Sequence, residues 1–346
     1  RRPFCTMAVD DMAYWGITKN AEKVTDARTA GTKVDIPTLD ISRLQGSTDE
    51  VAACIKEIKE ACQDWGFFKV TGHGIPKEML QATYQSTWDF FMQPREIKAQ
   101  VKRSEDNARG WFDDELTKQI RDHKEGFDFG HKPCAGLPDE HPDNKCMDGQ
   151  NRWPEGLPKF KEQMQAYYAE MEKVSIALCQ AIAMALDCEK TAFDPLFESH
   201  TSFLRLNYYP TCPDPNILGI NPHKDAGFLT VLLQDSVASL QVFHQDHWVT
   251  VQPDPEAFII NIGDMCQVCS NDQFVAPLHR VLSNTAEERF SLPFFYNPGY
   301  EADATPLPSR GKAKYRPVNW GEFRKKRFAG DYADHGVEVQ ITHYLL

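Results

Sequence analysis

Ile217-Leu218-Gly219-Ile220-Asn221-Pro222-His223-Lys224-Asp225-Ala226-Gly227-Phe228-Leu229-Thr230-Val231-Leu232-Leu233 is the stretch on which the reading of this chain turns. Two short apolar runs rich in branched residues, Ile217 to Ile220 and Phe228 to Leu233, have the length and composition of core strands. Between them stand a histidine and an aspartate two positions apart. Alternate residues of a strand point the same way, so His223 and Asp225 face one point if the segment is extended or turns just after a strand. Two imidazoles and one carboxylate on one face of a metal favour non-haem Fe(II), with positions left open for a cosubstrate and O2. The second imidazole must come from elsewhere in the chain.

Phe274-Val275-Ala276-Pro277-Leu278-His279-Arg280-Val281-Leu282 reads as another strand, and His279 supplies that imidazole. Several short strands fit between the two segments, and closing a small barrel brings the ligands together. Arg289-Phe290-Ser291 follows on the next predicted strand. The planar fork of Arg289 suits bidentate carboxylate binding, and the Ser291 hydroxyl on the same face donates to the same oxygens. A 2-oxo acid that chelates iron through its keto oxygen and first carboxylate needs such a clamp for its far carboxylate, and 2-oxoglutarate fits. Any one of the 11 histidines taken alone reads as a packing or surface residue. Arg-x-Ser alone is an ordinary strand fragment. The order in which they occur makes the case.

Seven segments in this order carry a family resemblance: Val34-Asp35-Ile36-Pro37-Thr38-Leu39-Asp40, Trp65-Gly66-Phe67-Phe68-Lys69-Val70-Thr71-Gly72-His73-Gly74-Ile75, Arg205-Leu206-Asn207-Tyr208-Tyr209-Pro210, His223-Lys224-Asp225, Asn261-Ile262-Gly263-Asp264-Met265, Pro277-Leu278-His279-Arg280-Val281 and Arg289-Phe290-Ser291. From residue 34 to residue 345 the chain resembles the Fe(II)/2-oxoglutarate-dependent oxygenase superfamily, in the isopenicillin N synthase-like and plant soluble oxygenase branch. The resemblance implies a mainly β fold with α, a double-stranded β-helix (jelly roll) core braced by N-terminal helices. It implies His223, Asp225 and His279 as iron ligands and Arg289 and Ser291 as 2-oxoglutarate anchors, with Asn207 and Tyr209 as further cosubstrate contacts. His73 matches a structural motif and is not a ligand. The implied reaction uses O2 to decarboxylate 2-oxoglutarate oxidatively to succinate and CO2, while a small-molecule substrate is hydroxylated, desaturated or cyclised. Lys224 and Cys269 depart from the residues usual in relatives, which weakens any analogy of substrate. Two other readings stand beside this one: a same-fold Fe(II) oxidase that uses no 2-oxo acid, and a non-catalytic small-molecule binding module.

If Asn207 and Tyr209 point at the cosubstrate, strand alternation puts Arg205 on their face. A cation in an iron pocket can hold a substrate carboxylate, which points to an acidic small molecule. An internal ion pair of Arg205 with a core carboxylate is the competing reading. Phe295, six residues after Arg289 and on its face, is expected as an apolar wall, with plain core packing as its alternative.

Composition bounds the rest. With 346 residues, 41% hydrophobic and 25% charged, the chain can bury a substantial core in one compact unit. Its net charge of −12 argues against nucleic acid or an anionic membrane as the main partner. The sequence has no apolar run long enough for a membrane span. The ten cysteines are dispersed, which suits reduced thiols and a cytoplasmic location. The opening Arg1-Arg2-Pro3, without Met, leaves a removed targeting peptide open. Cys266 and Cys269 form a CxxC in a strand-like stretch, where they would face opposite sides and do no joint chemistry.

The organisation expected is an N-terminal extension over 1–33, a helical region over 34–190 and a jelly-roll region with a C-terminal helix over 191–346. Ser47-Thr48-Asp49-Glu50 predicts a helix start, a second helix runs from near Pro76 to Phe91, and apolar spacing predicts a long amphipathic helix over 159–186. Residues 103–155, holding Trp111 and Phe127, read as a long irregular insert, either a lid or a plain connection. Between Ser202 and Asn297 the pattern is of short strands separated by turns. Arg324-Lys325-Lys326-Arg327 reads as the solvated face of a terminal helix, with a binding patch as the lesser reading.

Overall fold

Ser47 opens the first helix as its sequence predicts. Its hydroxyl accepts the Glu50 backbone N–H at 3.4 Å, while the Glu50 carboxylate accepts the Ser47 backbone N–H at 2.7 Å, satisfying two donors that a helix start otherwise orphans. Helix α1 (Thr48–Asp64) buries Cys54, Ile58, Ala61 and Cys62 along one stripe. Ser47→Ala should cost about 1 kcal/mol, read as a lower urea midpoint at unchanged slope.

The computed structural model describes residues 35–117, 120–130, 141, 149–214, 216–332 and 339–346. The extension expected over 1–33 lies outside them. Helix α2 (Lys77–Phe91), the short α3 (Arg95–Ala99) and the long α4 (Pro158–Ala185) follow α1, and α4 packs against α1, α2 and the central sheet. Phe160, Met164, Tyr167, Met171, Val174, Leu178 and Ile182 are all buried on α4, at the spacing the sequence predicts. Three further helices are α5 (Asp194–Phe197), α6 (Asp264–Cys269) and α7 (Trp320–Tyr332).

The large sheet runs, in spatial order, β1 (Thr38–Asp40), β2 (Phe67–Thr71), β12 (Phe258–Ile262), β9 (Leu229–Gln234), β14 (Arg289–Tyr296), β7 (Phe203–Tyr209), β6 (Glu125–Gly130) and β3 (Gly110–Phe112). The small sheet runs β11 (His247–Thr250), β10 (Leu240–His244), β13 (His279–Leu282) and β8 (Leu218–His223). Two short pairs are also present, β4 (Leu116–Thr117) with β5 (Ile120–Arg121) and β15 (Asp303–Ala304) with β16 (Val318–Asn319). The β1–β2 pair is parallel and the neighbouring pairs of the two main sheets are antiparallel. The two sheets make the jelly roll, and a cavity of about 230 Å3 lies between them.

Period-two alternation decides what enters that cavity. On β14 the residues Phe290, Leu292, Phe294 and Tyr296 join the core that includes α4, whereas Arg289, Ser291, Pro293 and Phe295 line the cavity. On β9, Leu229, Val231 and Leu233 go to the core, while Thr230 and Leu232 go to the cavity. Nearly every residue of both strands is buried, so the polar members stand out as the ones facing inward.

Three expectations are corrected. Residues 103–155 are not simply irregular, because β3 and β6 extend the large sheet and bury Trp111, whose indole N–H donates to Glu125 at 2.7 Å. Gly126 and Asp128 are poor strand formers that hid β6. Gly126 is needed there, since a Cβ would come within 2.2 Å of the Phe112 ring. Cys266 and Cys269 sit on helix α6, not on a strand, so they share a face. Burial pushes the Cys266 thiol up and that of Cys269 up to about 12, leaving two packed neutral thiols. The charge run at 324–327 is on α7, but Lys325 and Lys326 alone are exposed. Arg324 and Arg327, three residues apart, are half-buried and line the cavity.

Candidate active site

His223 closes β8 and His279 opens β13, and the two are direct partners in the antiparallel register. Their ring centroids are 4.2 Å apart. The Nδ1 of each ring reaches a backbone carbonyl two residues back: His223 to Asn221 at 2.8 Å and His279 to Pro277 at 3.2 Å. A proton on each Nδ1 leaves both Nε2 lone pairs turned to the same point. Burial, then the neighbouring His279, holds the His223 imidazole below its ordinary range and so in the neutral form that can ligate.

Asp225 completes the group. Its Oδ1 lies 3.8 Å from Nε2 of His223 and 3.7 Å from Nε2 of His279. Its Oδ2 accepts from Thr230 Oγ1 at 2.5 Å and Asn261 Nδ2 at 2.7 Å, which fixes the carboxylate and leaves Oδ1 for the shared point. Burial alone would raise this carboxyl, but the two imidazoles and these two donors outweigh it and hold it below the usual range. The loop carrying Asp225 is clipped to the start of α6, with Asp264 N–H donating to the Asp225 carbonyl and Met265 N–H to that of Gly227. Glycine is required on the α6 side, because a Cβ at Gly263 would meet the Gly227 carbonyl at 2.2 Å. One ligand atom from each of the three side chains falls within 4.8 Å of the others. The donor set, two imidazoles and a carboxylate with open space beside them, fits Fe(II).

Arg289 is fully buried, one face of its neighbourhood closed by the Tyr209 ring at 5.0 Å from the guanidinium carbon. Its Nη2 donates to Gln234 Oε1 at 3.1 Å, while Nε and Nη1 have no hydrogen-bond partner among the described residues. A permanently charged fork with two unfilled donors in a buried site is costly unless an anion joins it. Ser291 Oγ stands 3.3 Å from both Asn207 Nδ2 and Tyr209 OH, since the register pairs Ser291 with Asn207 and Arg289 with Tyr209. Gln234 Nε2 and Asn207 Oδ1 also lack partners among the described residues. This constellation fits a carboxylate, and 2-oxoglutarate supplies one.

The structure thus brings His223, Asp225, His279, Arg289, Ser291, Asn207, Tyr209, Arg205 and Phe295 to one cavity. Arg205 lines the cavity with its guanidinium already engaged by carboxylates of the chain. Its Nε and Nη2 make a two-pronged pair with Asp128 at 2.8 Å each, and Nη1 reaches Glu115 at 2.9 Å, so the internal ion pair is what the fold builds. Burial would raise Glu115, but Arg205, Lys124 and Arg103 outweigh it and hold the carboxyl well below its ordinary range. Phe295 lines the cavity, stacked on Phe203 with centroids 4.7 Å apart. His73 lies away from the cavity lining, its Nε2 3.2 Å from the Glu256 carbonyl. Sequence reasoning missed the supporting roles of Thr230, Asn261 and Gln234. For Thr230 the signal was a hydroxyl on the inward face of an otherwise apolar strand. It also missed Arg109 and Arg324, one in the segment read as irregular and one in the charge run.

No helix among the described residues is long and apolar enough to cross a membrane. A model of the 2OG-Fe(II) oxygenase superfamily matches residues 200–298, and one described as non-haem dioxygenase in morphine synthesis N-terminal matches residues 36–156. Jasmonate-induced oxygenase 2 of Arabidopsis thaliana is 33% identical over 311 residues, which is 87% of this chain and 81% of that protein. Gibberellin 2-beta-dioxygenase 8 of Arabidopsis thaliana is 31% identical over 315 residues, 90% of this chain and 88% of that protein. Among solved structures, JOX2 in complex with 2OG, Fe and JA superposes with a TM-score of 0.77 at 28% identity, covering 100% of this chain and 98% of that one. A full-length Neurospora crassa protein in complex with alpha-KG and 5-formyluracil gives 0.75 at 25% identity, over 85% of this chain and 96% of that one.

Proposed function

Because the chain belongs to the Fe(II)/2-oxoglutarate-dependent oxygenase superfamily, we propose that His223, Asp225 and His279 hold its iron and that Arg289 and Ser291, with Asn207 and Tyr209, hold its 2-oxoglutarate. The protein is an Fe(II)- and 2-oxoglutarate-dependent oxygenase that oxidises a small molecule. With iron and 2-oxoglutarate bound, the site would supply the oxidation of a substrate C–H bond by O2, coupled to decarboxylation of 2-oxoglutarate to succinate and CO2. The chain's own part is positional: Thr230 and Asn261 orient Asp225, the Asn221 and Pro277 carbonyls fix the imidazole tautomers, and Gln234 aims the Arg289 fork.

The observation that carries the assignment of roles is the pair of donors on fully buried Arg289 that have no partner among the described residues, in the same cavity as the His-Asp-His group. The substrate, on this reading, bears an acid group. Seven basic side chains line the cavity against the three carboxylates of Glu115, Asp128 and Asp225, and the last of these serves iron. The solved relatives hold JA and 5-formyluracil, small molecules in both cases, which supports a substrate of that size.

An anaerobic titration of the apo-protein with Fe(II) and then 2-oxoglutarate tests the assignment. A visible charge-transfer band from the chelated 2-oxo acid should grow and saturate at one equivalent. Iron binding without that band would remove 2-oxoglutarate from this cavity, and no iron binding would remove the triad.

A further inference from the structure

The cavity has a second basic end, remote from Arg289. In the β7–β14 register Arg289 pairs with Tyr209, and Phe295 pairs with Phe203. Six residues separate the two levels, roughly 20 Å along the strand. Phe295 also pairs with Thr230, the residue that orients Asp225, so the triad lies nearer the Phe295 level than the Arg289 level. At that level, three guanidinium carbons lie close to one aromatic ring: Arg109 and Arg324 at 5.3 Å and Arg205 at 5.9 Å from the Phe203 centroid.

These three arginines are not equivalent. Arg205 is already shared between Asp128 and Glu115. Arg109 is 3% exposed, and a Cβ on Gly130 would lie 2.5 Å from its Nη2, so glycine is what makes room for the guanidinium. Burial first, and then the like charge of Arg324, pulls its pKa down to about 9 against the opposing pull of the Asp128 carboxylate. A guanidinium driven that way by a like charge is stabilised by an anion placed between the two. Arg324 approaches from α7, anchored by Nη1 to the Thr201 carbonyl at 3.3 Å and to the Tyr300 hydroxyl at 3.0 Å. The pair therefore comes from two distant parts of the chain and meets over the apolar Phe203–Phe295 stack.

We propose that Arg109 and Arg324 form the clamp for a carboxylate of the substrate, at the end of the cavity away from the cosubstrate anchor. This rests on the reading of the cavity as the oxygenase site and narrows it: the substrate class is a small carboxylic acid whose apolar body lies on Phe203 and Phe295. Specificity for the acid then resides in Arg109 and Arg324, with Arg205 holding the wall together through Asp128 and Glu115.

The test is calorimetric, on the full chain loaded with Mn(II) and 2-oxoglutarate. The probes are phenylacetate, 3-phenylpropionate, cyclohexylacetate and octanoate, each beside its amide. At least one acid should bind about 10- to 100-fold more tightly than its amide, the size expected of charge-assisted hydrogen bonds. Arg324→Gln and Arg109→Met should each erase that preference while leaving amide binding and 2-oxoglutarate affinity in place, and Arg109→Lys should restore part of it. Arg324 is half-buried on a helix, so its variant carries the test even if Arg109→Met unfolds. No acid preference anywhere in the panel, including no binding at all, overturns the clamp. So does a preference that survives both variants and vanishes in Arg205→Met. Failure of 2-oxoglutarate itself to bind the unmutated protein counts against the parent reading instead, which keeps the two failures apart.

Discussion

His223→Ala should retain no stoichiometric iron and should lose turnover by more than about 10³-fold, because two ligands cannot hold a labile divalent ion as three do. The expectation follows from how the site is assembled. His223 and His279 are cross-strand partners, so their spacing is set by the small sheet and not by either side chain alone. Removing one imidazole leaves Asp225 Oδ1 and His279 Nε2 at 3.7 Å, a pair that water can satisfy. The fold should survive, since His223 contributes little to either hydrophobic cluster. Iron content per chain after gel filtration and succinate release are the two readouts, with the unfolding transition as control. Full turnover with one iron retained would falsify the assignment of this residue.

The triad and the anchor were legible in the sequence because each lies on a strand whose alternation can be followed by eye. His223 and Asp225 straddle the end of an apolar run, and Arg289 and Ser291 are the polar beats of β14. The long helix α4 was equally legible from its stripe. What escaped was whatever depended on pairing between distant segments. Arg205 was placed on the right face, but its partners Asp128 and Glu115 lie 77 and 90 residues away, and no local pattern announces them. Asp128 sits in Glu125–Gly130, where two glycines and an aspartate disguise a strand. Arg324 belongs to a run of four basic residues that looks uniform along the chain. Only the helix period sends Arg324 and Arg327 inward while Lys325 and Lys326 face water.

The anchor gives the second large effect, and it is of a different kind. Arg289→Met should bind iron as the unmutated protein does, yet need about 100-fold more 2-oxoglutarate for half-maximal turnover. Truncation removes the charge and the two donors that face the cavity, a loss of the size expected for two hydrogen bonds from a charged group. Ser291, Asn207 and Tyr209 stay in their register and retain a weak polar cradle, so binding is lowered and not abolished. Met fills most of the volume that Arg289 vacates between Tyr209 and Gln234, which limits collapse of the pocket. A rise in the 2-oxoglutarate requirement at constant iron content, with the maximal rate largely recovered at saturation, separates an anchor from a metal ligand. If the requirement does not move, the far carboxylate is held elsewhere, and the empty donors of Arg289 need another anion to explain them.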